Sequence, residues 1–188
     1  LLCGLLTWTF FANGITTGMG AMLANENLVK KVWFPRQILV ASTVASWAFS
    51  FLIELGVLTV ALLIAGNMVI PWLVPALLVG VIEAAFVLGC ALTLSVCTVY
   101  LRDLQYLVSI ALQIWFYSTP IVYPISVVEA ALENRPGLVT VYRLNPMTRF
   151  AEAYRDILYS LRFPPAQTLG YLTLCALASL VLGWWTFT

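Results

Sequence analysis

Two long apolar runs, 37–66 and 72–98, each hold a single charged side chain, Glu54 and Glu83. A helix rises about 1.5 Å per residue, so either run is long enough to cross a hydrocarbon layer about 30 Å thick. Two more runs, 1–23 and 168–187, hold no charged residue at all. Soluble domains carry about 25% charged residues; this chain carries 9%, with 62% hydrophobic residues and a mean hydropathy of +0.98. So much apolar surface cannot be hidden inside 188 residues, and lipid must be the solvent for much of it. The expected fold is an all-α integral membrane protein, a polytopic helical bundle. The net charge of +1 provides no general pull toward nucleic acid. The chain opens on Leu1 inside one apolar run and closes just after another, so a fragment of a longer polypeptide is expected.

Residues 24–36 interrupt the apolar pattern. Asn25 is placed to cap a short helix, and Glu26 puts negative charge in its first turn. Lys30 and Lys31 lie toward the positive-preferring end, and Leu28, Val29, Val32 and Trp33 gather on one face. Pro35 ends the helix. Two readings fit equally: a docking element for a partner, or an interfacial loop that satisfies the positive-inside rule. Arg102 and Asp103 form a second short polar link, read as structural.

A fourth span, 104–119, breaks in an unusual way. Pro120 and Pro124 fall inside an apolar segment with Tyr123 between them. Each proline removes a backbone donor, and the freed carbonyls need protein or water partners in lipid. Residues 120–164 are therefore expected to form a broken, re-entrant or gate-like region. Ser126 and Glu129 have capping-box spacing. Asn145 followed by Pro146 marks another helix start, running to about Leu161. Met147, Phe150, Tyr154, Ile157 or Leu158, and Leu161 make its apolar stripe, while Arg149, Glu152, Arg155 and Asp156 are charged. Such a helix is expected to lie in the interface or fold back partway rather than span.

Several residues lie where lipid tolerates them poorly. A charge near mid-bilayer costs at least about 2.5–3.5 kcal/mol, so Glu54 and Glu83 should each face a partner or a wet space. Both a pathway role and a plain buried hydrogen bond fit them. On the fourth span Tyr106, Ser109, Gln113 and Tyr117 recur at helical spacing on one face, with Trp115, Phe116 and Tyr123 nearby. Aromatic faces and amides suit a sugar chain, and ordinary helix packing suits them equally. Gly14 and Gly18, with Gly20 beyond, are spaced for close helix approach. Cys3, Cys90, Cys97 and Cys175 all sit in apolar runs and read as small packing residues. The chain has no phosphate-binding loop of Walker type and no histidine, so neither ATP binding of that kind nor histidine-based catalysis is expected. No metal site is expected.

Orientation is nearly balanced. Lys30, Lys31, Arg36 and Arg102 fall on one side; Arg135, Arg143, Arg149, Arg155 and Arg162 fall on the other. The compact lysine pair hard against two spans favours the cytoplasm for the Lys30 side.

Taken in order, residues 25–36, the Tyr100–Asp103 link, Thr119–Pro124 and Asn145–Pro146 with Arg155 resemble the ABC-2 permeases that export lipid-linked polysaccharides. That family includes O-antigen, teichoic acid, capsule and galactan exporters, and the resemblance covers essentially the whole chain. It implies five spans of a six-span permease. It makes 24–36 a coupling helix on a cytoplasmic nucleotide-binding subunit, which would hold ATP and magnesium; this chain itself would carry no cofactor. It makes the region around Pro120 to Pro124, and the Pro146 helix, outer gate elements. It implies a second permease copy as channel partner and a polyprenyl-pyrophosphate-linked glycan as substrate. An ion-coupled secondary transporter or channel using Glu54 or Glu83 is the competing class; no internal repeat of broken spans supports it.

Overall fold

A computed structural model describes residues 2–26, 31, 35–121, 142 and 144–187; within these the regular structure is helical, with no strand. The helices are α1 (Leu2–Ala24), α2 (Gln37–Ile64), α3 (Leu73–Tyr100), α4 (Leu104–Ser118), α5 (Pro146–Leu158) and α6 (Ala166–Phe187). A single 3-10 turn, Ile70–Trp72, leads into α3. By length and composition, α2, α3 with its lead-in, and α6 are able to cross a membrane. α1, with 23 residues, is not among these candidates, although its sequence predicts a span. Its Thr7, Thr9, Thr16 and Thr17 hydroxyls each donate to a carbonyl of the preceding turn, at 2.6–2.9 Å, which suits a helix short of water. The segment expected as a fourth span is a helix of 15 residues, about 22 Å long, and it stops before Pro120.

α3 is the hub and packs on α1, α2, α5 and α6. Two pairs of small residues bring its neighbours in. On α1, a Cβ at Gly14 would stand 2.6 Å from the Val87 methyl, and one at Gly18 would stand 2.8 Å from the Ala91 Cβ. These are the α1 glycines whose spacing signals close approach. The α3–α6 crossing is tighter. A Cβ at Gly89 would overlap the Ser179 carbonyl, and one at Gly183 would lie 2.6 Å from the Gly89 carbonyl oxygen. Ser179 then donates across the crossing to the Phe86 carbonyl at 3.3 Å. The α2–α3 turn depends on Gly66, whose φ of +91° suits only glycine comfortably. The four cysteines are free thiols within helices.

Contacts at the helix ends fix the up-down order. Gln105 at the start of α4 reaches Gly20 near the end of α1, while Gly4 lies under the Ile121 carbonyl beyond the end of α4. The C-terminal end of α1, the start of α2, the α3–α4 turn and the C-terminus of α6 therefore share one side.

α5 begins beside the break in α4. The Asn145 Oδ1 accepts from the Met147 N–H at 3.0 Å, and its amide donates to the Thr119 hydroxyl at 2.9 Å. Pro146 occupies the first helical position, as its sequence signature implies. The expected apolar stripe, Met147, Phe150, Tyr154, Ile157 and Leu158, is fully buried against α1, α3 and α6. The helix ends three residues before the expected Leu161. Leu161 instead takes φ 50° and closes the C-terminus, with the Arg162 N–H donating to the Asp156 carbonyl at 2.9 Å.

Two stability outcomes follow from this packing. Gly89→Ala is expected to cost about 1–3 kcal/mol by forcing α3 and α6 apart. Gly56→Ala faces open space and is expected to be neutral or to gain up to about 1 kcal/mol. Thermal melts of the purified permease distinguish the two. Asn145→Ala loses both the cap and the Thr119 bond and is expected to cost about 1–2 kcal/mol, whereas Asn145→Asp keeps the cap and recovers part of that loss.

Candidate conducting groove and outer gate

Among the described residues, a groove of about 390 Å³ runs between α1 and α4, lined by Trp8, Ala12, Thr16, Ser109, Gln113 and Tyr117 among others. Three of the four residues expected on the polar face of α4 therefore meet in one cleft. Tyr106, 74% exposed, continues the same face one turn toward the Lys30 side. The Ser109 hydroxyl donates to the Tyr106 carbonyl at 2.8 Å, and Gln113 is exposed. The amide of Gln113 and the phenols of Tyr106 and Tyr117 are thus presented outward from the chain.

The nearby aromatics divide: Phe116 lines the groove and packs on α1, whereas Trp115 turns inward. Trp115 packs edge-on to Phe11 at 5.3 Å, and Phe116 meets Trp8 at 5.5 Å. The contacts continue from Phe11 to Phe86 and from Phe86 to Phe150. A second chain runs from Phe10 through Phe51 to Tyr154. Both chains end on α5, so the short helix is seated on rings from α1, α2 and α3. Sequence patterning shows the aromatic content but not this path.

Another cleft among the described residues, about 840 Å³, lies between α2, α3 and α6. Its walls are apolar apart from Gln37 and the two indole groups of Trp184 and Trp185. It has few groups that could orient a hydroxylated ligand.

The break in α4 is held from three sides. The Thr119 hydroxyl donates to the Trp115 carbonyl at 2.8 Å and accepts from Asn145. Pro120 is buried, and the Ile121 N–H closes back on the Thr119 carbonyl at 2.7 Å. The Ile121 carbonyl accepts from the Arg155 guanidinium at 3.5 Å, a long bond, and lies against Gly4 of α1. Arg155 therefore braces the break from α5. The Tyr171 hydroxyl of α6 donates to the Leu144 carbonyl just before the cap. Tyr123 and Pro124 lie outside the described residues, as does the Ser126–Glu129 capping signature.

The two intramembrane acids separate. Glu83 is fully buried on α3, with the Tyr154 hydroxyl of α5 as its polar neighbour. Glu54 is exposed on α2 and looks outward from this chain. Its helical neighbours Phe51, Leu55 and Leu58 point inward, and Glu54 falls on the other face. Arg102 and Asp103 are both exposed in the turn that starts α4.

Of the 24–36 link, Leu28, Val29, Lys30, Val32 and Trp33 lie outside the described residues. Lys31 is exposed. Asn25 closes α1, with its side-chain amide donating to the Ala21 carbonyl at 2.9 Å. That is a C-terminal role on the preceding helix, besides the N-cap its sequence suggests for the following one. Glu26 is exposed directly after it.

Residues 1–159 match the family model described as ABC-2 type transporter. The chain is 33% identical over 184 residues to a Myxococcus xanthus protein named O-antigen export system permease protein RfbA, covering 98% of this chain and 68% of that relative. Two Klebsiella pneumoniae proteins of the same name are 28% and 27% identical over 160 residues, covering 84% of this chain and 59% of each relative. The chain thus spans roughly three-fifths to two-thirds of the length of these relatives. It belongs to the ABC-2 type transporter family, as a multi-pass membrane protein of the bacterial inner membrane.

Proposed function

We propose that this chain is the channel-forming part of an ATP-driven exporter that moves a polyprenyl-pyrophosphate-linked polysaccharide of O-antigen type. The observation that carries the reading is the α1–α4 groove. In a chain whose other outward surfaces are mostly apolar, it gathers Thr16, Ser109, Gln113 and Tyr117 on an outward-facing side. A second copy of the permease would close that side into a conduit, with hydroxyls, an amide and aromatic faces turned toward a glycan. The names of the relatives support the substrate class.

ATP and magnesium belong to a separate nucleotide-binding subunit in this reading. Residues 25–33 are its docking helix: Asn25, Glu26, Leu28, Val29, Lys30, Lys31, Val32 and Trp33. Arg102 and Asp103 share that side of the membrane. ATP binding in the partner favours one of two permease states, and differential docking of this helix transmits the preference. Thr119–Ile121 and α5 form the outer closure, with Pro120, Asn145, Pro146 and Arg155 as its framework.

The deciding experiment reconstitutes the full-length permease with its ATPase subunit and a polyprenyl-linked glycan in vesicles. Leu28→Asp with Val32→Asp is expected to lower both glycan-stimulated ATP turnover and export by about tenfold or more. Unchanged turnover and export would remove the coupling role. Gln113→Leu is expected to lower export roughly three- to tenfold while ATP turnover persists; equal export would take the groove out of the glycan path.

A further inference from the structure

α2 and α6 both pack on α3 but scarcely touch each other. Their separation leaves the cleft of about 840 Å³ as an open trough. Leu88 and Leu92 of α3 form its floor, Ile38 and Ala41 one wall, and Leu180 and Val181 the other. A second apolar hollow, along α6 from Gly170 to Leu182, meets the first at Val181. Together they follow α6 from Gly170 to Trp185, about 22 Å at helical rise. That is enough for an extended hydrocarbon chain to cross one leaflet, about 15 Å deep.

The end of the trough at the start of α2 differs in character. Gln37 lines it, together with Trp184 and Trp185 near the end of α6. The two tryptophans are 60% and 76% exposed. An indole has an apolar body and one N–H donor, which suits the boundary between hydrocarbon and headgroups. Arg36 directly precedes Gln37 and is exposed. No side chain caps the start of α2, so the helix dipole adds positive potential beside that guanidinium. Lys31 is exposed five residues earlier. The described acids of this side, Glu26 and Asp103, stand at the end of α1 and the start of α4. Those ends meet through Gln105 and Gly20, on the α1–α4 side of the bundle. The trough therefore pairs an apolar track with a basic, donor-bearing end.

We propose that this trough binds an anionic glycerophospholipid from the leaflet at the start of α2. One acyl chain lies over Leu88, Leu92 and Val181. The phosphate meets Arg36, whose fork of donors matches phosphate oxygens. The Gln37 amide and the Trp185 N–H donate to the ester carbonyls. A flat apolar helix face takes any lipid. Here the track fixes where the headgroup falls, and the basic end selects its charge. A zwitterionic headgroup brings a second, positive group to the same place and loses part of the attraction. The site lies away from the α1–α4 groove, so it stands whether or not that groove conducts a glycan.

The test takes the full-length permease with its ATPase subunit in mild detergent and titrates it with lipid in native mass spectrometry. The probes are phosphatidylglycerol and phosphatidylcholine with identical acyl chains, and a polyprenyl phosphate. Phosphatidylglycerol is expected to bind about fivefold more tightly than phosphatidylcholine. Arg36→Gln is expected to bring the two close to equal. Ala41→Phe, which fills the trough, is expected to weaken both severalfold. Phosphatidylglycerol with a diazirine on its chain is expected to label residues 38–41 of α2 and 180–185 of α6. Equal binding of the two phospholipids by the unaltered permease, or an unchanged preference in Arg36→Gln, would overturn the proposal. So would labelling confined to other helices, or displacement of phosphatidylglycerol from the labelled residues by an equal amount of polyprenyl phosphate. Arg36→Gln alters an exposed helix start and keeps the test open should Ala41→Phe fail to insert.

Discussion

The close crossing of α3 and α6 is the constraint on which the other packing depends. At Gly89 and Gly183 the two backbones touch without side chains between them. Lipid gives helices no hydrophobic reason to associate, so contact area and shape must bind them. With α6 drawn onto one face of α3, the remaining faces take α1 at Val87 and Ala91, α2 nearby, and α5 at Phe86 and Gly80. α5 lies between α1, α3 and α6, and its cap and brace reach back to the broken end of α4.

That arrangement relates the two ends of the molecule. On the side where α1 and α3 end, long helices pack on one another. The opposite side holds a short helix and a proline break, attached by a few polar bonds and by stacked rings. A movement of α1 would be felt at Gly4, under the Ile121 carbonyl, and at Phe10 and Phe11, which begin the ring contacts leading to α5. The same helix forms one wall of the groove. Groove and closure are thus built on shared elements, a physical basis for coupling them.

Much of this was legible in the sequence. The apolar runs give α1, α2, α3 and α6 to within two residues or so, because lipid length and helix rise leave little freedom. Asn145–Pro146 marks the start of α5, since capping chemistry is local. Spacing alone identifies Gly14 and Gly18 as a packing pair. Gly89 and Gly183 were not legible, because each is a lone glycine whose partner lies on a distant helix. The two acids look alike in sequence, yet a single position of helical phase puts Glu54 outside and Glu83 inside. Trp115 shares a helix with the polar face but rotates away from it onto Trp8 and Phe11, which only the packing of α1 decides. The pairing of Glu83 with Tyr154 joins residues on different helices, and no local pattern encodes it.

The account stands most directly on whether α5 leaves its seat when the partner binds ATP. Spin labels at Val81 on α3 and Tyr159 just beyond α5, both well exposed, report the separation of these helices. They are placed in a variant whose native cysteines are replaced, in the full permease–ATPase complex with glycan substrate. The distance distribution is expected to lengthen, or to gain a longer component, on ATP binding and to return after hydrolysis. A distribution that stays the same through cycles of active export would contradict the account.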